Sequence, residues 1–340
     1  MFSEYFSAKY MLSKGALYNY ASSDRSDGKT FDCKFRALED YELNKHISIY
    51  MRRFKSEITQ NMYETFFNEV INKPVGSKYK NWQFKGTKTG VQVKTSEDAK
   101  WDWIVYFIPL TMSGKLKSQL DIERIYNIDF DEYIPLDNRY ANNEMVLINE
   151  FYKSIDRDRE VVRFNFFGNK IAYFCPLLDY FKVDLMLNAK DTIRLYQEGT
   201  LAVQIYSSKE HREVRKEGKL TKLMKGTDYE EYNLGGVLQA LNLKIEKHTD
   251  KCDCFSSFKT EIGEGTIWQN RNNDFIISCT TRADKLVIAD NMYNLKNREV
   301  VLITFGRLAS DFKQYYRVGK IKFESEKAFH LFEPLLKMIR

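Results

Sequence analysis

Cysteine, proline and long hydrophobic runs are all scarce in this chain, and each shortage excludes a class of protein. The 5 cysteines are odd in number, which argues against a disulfide framework and favours a reduced, cytoplasmic compartment. No apolar run approaches the ~18 residues needed to cross a bilayer, so we expect no membrane partner. Only 5 residues are proline, while 43% are hydrophobic and 29% charged, a globular composition that argues against disorder.

The length and charge set broad limits on what remains. A chain of 340 residues is long enough for two domains and a substantial core. The net charge is +6, which permits contact with nucleic acid without requiring it, because acidic residues nearly balance the basic ones. The abundance of Lys, Asn, Ile and Tyr is associated with AT-rich genomes such as those of phages.

Periodic apolar residues predict the first regular elements. From Leu43 to Lys73 they recur at spacings of three and four, which predicts one long helix, closed by Pro74 and Gly76. A strand-rich block follows over about 82–107. Further along, two strand-like runs, 192–196 and 201–206, flank a turn and predict a β-hairpin.

The last part of the chain mixes both periodicities. A basic helix is predicted over 208–224, strands over 274–279 and 299–305, and a C-terminal helix over 324–338 that we expect Pro334 to kink or interrupt. We therefore predict an α/β or α+β fold with mixed β-sheets flanked by helices, in two domains.

One stretch in the first strand-rich block carries a specific chemical pattern. Gly90–Ser96 predicts a strand that presents Gln92 and Lys94 on one face, because side chains two apart on a strand point the same way. A second strand follows over 103–107. A glutamine and a lysine in this arrangement suit a metal-dependent phosphodiesterase centre.

These residues resemble the core motif of the PD-(D/E)xK restriction-endonuclease-like superfamily. The resemblance implies a phosphodiesterase whose carboxylates hold Mg²⁺ and whose lysine positions the attacking water or stabilises the transition state. Gln92 and Lys94 match the second half of the motif, and Glu57 or Glu64 upstream is placed to supply a helical carboxylate. Asn81 stands where the family has its strand acid, and a neutral amide binds a hard dication far less well.

The hairpin region offers a complementary set. Asp191 precedes the hairpin, Gln204 lies in its second strand, and Asp184 is another candidate acid. Tyr206 stands at the lysine position, with Lys209 in the following turn. Either block is a candidate active site, with Gln92, Lys94, Glu64, Asp184, Asp191 and Gln204 as candidate catalytic residues. Asp184 and Asp191 are the candidate metal ligands.

Two further patterns bear on nucleic acid and nucleotides. Helical spacing places four cations on one stripe, where they would track phosphates: Arg212, Arg215, Lys219 and Lys222. The interleaved Glu213 and Glu217 leave open a solvated face of intrahelical ion pairs. The chain contains no GxxxxGK[ST] and no GxGxxG, so a nucleotide-binding loop is not expected.

Taken together, the patterns predict a nucleic-acid-acting protein, a Mg²⁺-dependent endonuclease of a phage or a bacterial defence system. The predicted layout is an N-terminal extension over 1–43, a nuclease-like α/β region over 44–230 and an α+β domain over 231–340. The alternative is a non-catalytic assembly protein that binds another protein through an exposed apolar patch. A clustered set of carboxylates and a lysine around a cleft would favour the enzyme.

Overall fold

The structure is a computed structural model in which the chain divides into two compact units, residues 1–238 and 239–340. It describes residues 6–135, 139–169, 175–183, 192–206, 213, 217–226, 245–260, 262–282, 286–289, 300–302 and 307–339. No helix in these ranges is long and apolar enough to cross a membrane.

The first unit is built on a nine-stranded sheet in the order β3-β4-β5-β2-β6-β7-β1-β9-β8. Its strands are β1 (Tyr18–Ser23), β2 (Ile47–Arg52), β3 (Gln83–Thr87), β4 (Gly90–Lys94), β5 (Asp102–Pro109), β6 (Ile125–Asp131), β7 (Arg163–Asn169), β8 (Ile193–Tyr196) and β9 (Leu201–Ile205). The central run from β5 to β9 is parallel throughout, whereas the strands at both edges pair antiparallel. The carboxyl ends of the central strands therefore lie along one edge, where ligands bind in open α/β sheets.

Helices cover both faces of this sheet. They are α1 (Lys9–Leu12), α2 (Lys29–Asn44), α3 (Gln60–Thr65), α4 (Asn68–Ile71), α5 (Ser113–Leu116), α6 (Glu144–Asp156), α7 (Pro176–Tyr180) and α8 (Lys219–Leu223). Ile148 and Phe151 of α6 join the core on one face. Ala37 and Leu38 of α2 join the core on the other. The prediction of mixed sheets flanked by helices is confirmed.

The long helix predicted over 43–73 is wrong. Residues 47–52 instead form β2, which is buried along nearly its whole length. Further on, the segment contains only a 3-10 turn at Lys55–Glu57 and the short helices α3 and α4. A parallel strand covered on both faces reads as a continuous apolar run, so its residues also satisfy a helical spacing. The predicted N-terminal extension likewise supplies β1, which lies between β7 and β9 inside the sheet, and most of α2.

The second unit has a six-stranded sheet in the order β14-β13-β10-β11-β12-β15. Its elements are β10 (Asp253–Lys259), β11 (Glu264–Gln269), β12 (Phe275–Ser278), β13 (Val287–Ala289), β14 (Val300–Leu302), α9 (Arg307–Arg317), β15 (Ile321–Phe323) and α10 (Glu326–Ile339). Phe312 of α9 and Phe332 of α10 pack on the sheet residues Phe258 and Ile277 in one core. The strands expected near 274–279 and 299–305 and the C-terminal helix are present. That helix continues through Pro334, so the predicted interruption is wrong.

Candidate functional site

The most tightly organised polar site lies in the loop between β1 and α2, at the carboxyl edge of the first sheet. The carboxylate of Asp27 accepts a hydrogen bond from the backbone N–H of Asp24 (3.0 Å). The carbonyl of Asp27 accepts one from the N–H of Phe6 (2.8 Å). Gly28 has a φ of 94°, a left-handed conformation that suits glycine, and the helix begins at the next residue. The loop is therefore closed on itself and leads directly into a helix N-terminus.

The first two residues of α2 point their polar groups at the ends of the neighbouring strands. Lys29 is only 6% exposed, and its Nζ donates to the hydroxyl of Ser23 (2.6 Å) and the carbonyl of Asp24 (3.0 Å). The hydroxyl of Thr30 donates to Oδ2 of Asp131 (2.8 Å). Because β7 lies between β1 and β6, this last bond joins the loop to an acid two strands away.

Two adjacent acids end β6 at this edge. Asp131 is buried and also accepts a hydrogen bond from the hydroxyl of Tyr50 (2.6 Å). The side chain of Glu132 is 58% exposed and forms an ion pair with Arg52 from the end of β2. Arg52 also lies 3.5 Å from Asp131. One acid is thus held against the loop, while its neighbour remains open to water.

Arg53 fixes the backbone that carries the second acid. It is 2% exposed and binds Glu144 of α6 with two hydrogen bonds (2.7 and 2.8 Å). It also donates to the carbonyls of Glu132 (3.2 Å) and Tyr133 (2.7 Å). Burial opposes its charge, but the bonds to Glu144 raise the pKa of Arg53 above its ordinary value, so the guanidinium stays charged.

A second buried network joins the helix behind the loop to the strand of the acids. Arg36 of α2 contacts Asp32 (2.7 Å) and Asp129 of β6 (3.1 Å). The side-chain amide of Asn165 donates to Asp129 (2.8 Å). Burial raises the pKa of Asp129, although Arg36 and Asn165 oppose that shift. The network ties α2, β6 and β7 together beneath the site.

The sequence of this loop bears on the expectation of no nucleotide-binding loop. Residues 23–30 read Ser-x-x-x-x-Gly-Lys-Thr, which is the phosphate-binding loop pattern with Ser23 in place of the first glycine. A strict search misses it, and the polar stretch reads as a simple turn. The signal that could have found it is a buried strand, then Gly-Lys-Thr opening a helix, with paired acids at the end of another strand.

The first set of sequence-predicted residues lies elsewhere, on the β3–β4 hairpin at the edge of the sheet. Gln92 and Lys94 share one face of β4, because Val91, before Gln92, and Val93, between the two, are buried on the other face. Glu64 belongs to α3, whose backbone meets Gly86 of β3 on that opposite, apolar side. The sheet therefore separates Glu64 from Gln92 and Lys94.

The second set is not assembled in the described part of the chain. Gln204 of β9 is 8% exposed, next to Ala21 of β1, and its Oε1 has no hydrogen-bond partner. Asp184, Asp191, Lys209, Arg212 and Arg215 lie outside the described residues. Lys219 and Lys222 are exposed on α8. Lys222 forms an ion pair with Glu217, which precedes α8 in the chain.

Comparison with known proteins identifies the family. Residues 2–337 match the family model of the Podovirus DNA encapsidation protein (Gp16), so the chain belongs to that family. The DNA packaging protein of Bacillus phage B103 is 25% identical over 316 residues, covering 92% of this chain and 91% of that protein. The DNA packaging protein of Bacillus phage PZA is 25% identical over 330 residues, covering 93% and 90%.

Solved structures share the fold. The bacteriophage phi29 viral genome packaging motor assembly contains a chain that superposes with a TM-score of 0.71 at 18% identity, covering 99% of this chain and 100% of that one. The N-terminal domain of the DNA packaging ATPase from bacteriophage phi29 superposes with a TM-score of 0.51 at 21% identity, covering 61% and 99%.

These findings overturn the resemblance to PD-(D/E)xK nucleases and the endonuclease function that followed from it. Both family and fold are those of phage packaging proteins. The resemblance rested on a polar strand face of one edge hairpin, and two side chains at a spacing of two recur on many such strands. The phage origin and the action on nucleic acid fit the family, and the assembly alternative lies closer to it than the nuclease does.

Proposed function

We propose that this chain hydrolyses ATP to drive DNA into a phage head during assembly. The observation that carries the proposal is the bond from Thr30, which follows Lys29 at the start of α2, to Asp131, next to the exposed Glu132. A loop lysine, a helix-starting hydroxyl and paired acids at the end of a nearby strand are the parts that a phosphate-binding ATPase requires.

The loop suits the phosphates of ATP. It opens a helix of 16 residues, whose free N–H groups and dipole attract anions at this end. Lys29 lies within the same loop, where its ammonium donates to oxygens of Ser23 and Asp24. A phosphate oxygen would replace those partners with a stronger, charge-assisted bond.

Two oxygen donors suit a magnesium ion beside the phosphates. The hydroxyl of Thr30 and the carboxylate of Asp131 lie 2.8 Å apart, and hard oxygen ligands are those that Mg²⁺ prefers. When bound, the ion would neutralise charge that develops on the phosphate oxygens. Thr30 and Asp131 are therefore the residues that we expect to hold it.

Glu132 is the residue we assign to the attacking water. Its carboxylate is the most exposed of the site's acids described above, so water reaches it. Arg52 binds that carboxylate, and Arg53 holds the backbone carbonyl of the same residue. A carboxylate held in this way orients a water and accepts its proton as the bond to the terminal phosphate forms.

DNA as the driven polymer comes from the family and from its relatives, which are named DNA packaging proteins. The relatives cover nine-tenths of the chain, so the whole protein is the unit to test. We expect DNA and the proteins of the phage head as partners, with Mg²⁺ as the cofactor of hydrolysis.

The test measures phosphate release from ATP by the purified full chain with Mg²⁺, with and without duplex DNA. We expect hydrolysis to fall by about 100-fold or more in Lys29→Ala, because a preorganised cation at the phosphates is lost. Lys14→Ala is the matched control, since Lys14 is exposed near the end of α1, and it should retain the wild-type rate. Equal rates in wild type and Lys29→Ala would refute the proposal.

A further inference from the structure

One segment of the first unit carries positive charge without any negative charge. Residues 70–96 contain no Asp or Glu. They contain six lysines, namely Lys73, Lys78, Lys80, Lys85, Lys88 and Lys94. Over the whole chain 53 basic residues face 47 acidic ones, so a run of this length without an acid is a local feature that the overall charge does not explain.

The hairpin of β3 and β4 arranges half of these lysines on one structure. Lys85 pairs across the hairpin with Gln92, and Gln83 pairs with Lys94. Residues directly opposite each other, and residues two apart, share a face of an antiparallel pair. Gln83, Lys85, Gln92 and Lys94 therefore line one face, and Lys88 lies in the turn at the tip.

That face is open, and the hairpin beneath it is well anchored. Lys85 and Lys88 are exposed, and Lys94 is partly exposed. The opposite face, with Val91 and Val93, is buried in the core under α2 and α3. At the tip, the carbonyl of Thr89 accepts a hydrogen bond from Phe107 of β5 (2.9 Å). The lysines thus project from a rigid edge of the sheet.

Little in the fold neutralises these charges. Lys78 forms an ion pair with Glu42, but within the described part of the chain no acid lies within 4.0 Å of Lys85, Lys88 or Lys94. The nearest acids in sequence, Glu97 and Asp98, follow β4 and so lie at the base of the hairpin, opposite the tip. Unpaired exposed lysines around amide side chains suit phosphate oxygens, which accept from both.

We propose that the β3–β4 hairpin face, formed by Gln83, Lys85, Lys88, Gln92 and Lys94, is a binding surface for the phosphate backbone of duplex DNA. This inference rests on the proposed function, which supplies DNA as the polymer. From the tip to Lys94 the face extends about 20 Å, since strand residues rise about 3.4 Å each. That length spans about six phosphates of one strand. The contacts carry no base information, as a motor that moves any sequence requires.

The experiment compares the salt dependence of binding to a fluorescent 30-base-pair DNA duplex in three full-length proteins. They are the wild type, the hairpin variant Lys85→Gln/Lys88→Gln/Lys94→Gln, and a control variant Lys14→Gln/Lys45→Gln/Lys153→Gln. The control removes the same charge from exposed lysines just after α1, just after α2 and on α6. ATP hydrolysis without DNA is measured for each protein, and an RNA duplex of the same length is titrated in parallel.

We expect the hairpin variant to reduce the slope of log affinity against log salt by about 2–3, because each lost phosphate contact removes about 0.9 from it. The control should keep the wild-type slope, and all three proteins should hydrolyse ATP alike without DNA. Equal slopes in the hairpin and control variants would overturn the proposal. So would a loss confined to RNA. Absence of hydrolysis in the wild type both with and without duplex DNA would instead refute the proposed function and leave the slopes readable.

Discussion

Arg53 offers the most demanding test of how the site is supported, because one buried side chain holds both an acid and two backbone carbonyls. Arg53 and Glu144 are 2% and 5% exposed and share two hydrogen bonds. In Arg53→Met the carboxylate of Glu144 stays buried without its partner, which costs about 3–5 kcal/mol of unfolding free energy. That is a large share of a typical total of about 5–15 kcal/mol.

The double variant Arg53→Met/Glu144→Met separates charge from packing. Removing both charges leaves no uncompensated ion, so we expect a coupling energy of at least about 2 kcal/mol in the cycle. Urea unfolding measures all three variants, with Arg194→Met as a control on the exposed face of β8 that should change stability by less than about 0.5 kcal/mol. The reasoning fails if Arg53→Met is no less stable than Arg194→Met. It also fails if the losses of unfolding free energy in the two single variants simply add up to the loss in the double variant.

Three further predictions concern the rest of the first unit. Burial works against the charge of Asp102, but hydrogen bonds from Arg124 and Tyr41 outweigh it and lower the pKa of that carboxyl. The stability that this charge provides should therefore be lost as pH falls below about 4. Urea unfolding at pH 3 and pH 7 should show a smaller difference in unfolding free energy for Asp102→Asn than for the wild type. An added Cβ at Gly86 would lie 2.0 Å from the carbonyl oxygen of Tyr63, whereas one at Gly114 meets nothing within 4 Å. Thermal unfolding should therefore show that Gly86→Ala is less stable than the wild type by about 1–3 kcal/mol. Gly114→Ala should be little changed. Asp27→Asn keeps an oxygen for the N–H of Asp24 but removes a negative charge from the loop. Calorimetric titration should therefore show that the variant binds ATP more tightly than the wild type. Unchanged or weaker binding would contradict a phosphate position at this loop.

Local periodicity predicted the elements that are exposed on one side. The strand from Gly90 and the C-terminal helix alternate or repeat as their burial requires. The hairpin near 192–206 was predicted from the turn between its strands. Elements buried on both sides carry no such alternation. β2 was therefore read as part of a helix, since Ile-Ser-Ile-Tyr-Met is apolar almost throughout and lies inside a parallel sheet.

The site was missed for a different reason. Its residues come from three strand ends that sequence places far apart, and only the sheet order brings Thr30 within 2.8 Å of Asp131. In the sequence, Asp131 and Glu132 are simply two adjacent acids that belong to no motif named above. Ser23 hides the loop from the strict motif, although its hydroxyl serves as a partner for Lys29 in this structure. Tertiary contact, and not local pattern, defines this site.

The measurement that tests the central claim most directly separates ATP binding from ATP hydrolysis in Glu132→Gln. If Glu132 orients and deprotonates the attacking water, the variant should bind ATP within about threefold of the wild type and hydrolyse it at least about 100-fold more slowly. Glu150→Gln, on α6, is the control and should match the wild type in both. Hydrolysis by Glu132→Gln at the wild-type rate would contradict the assignment of this site.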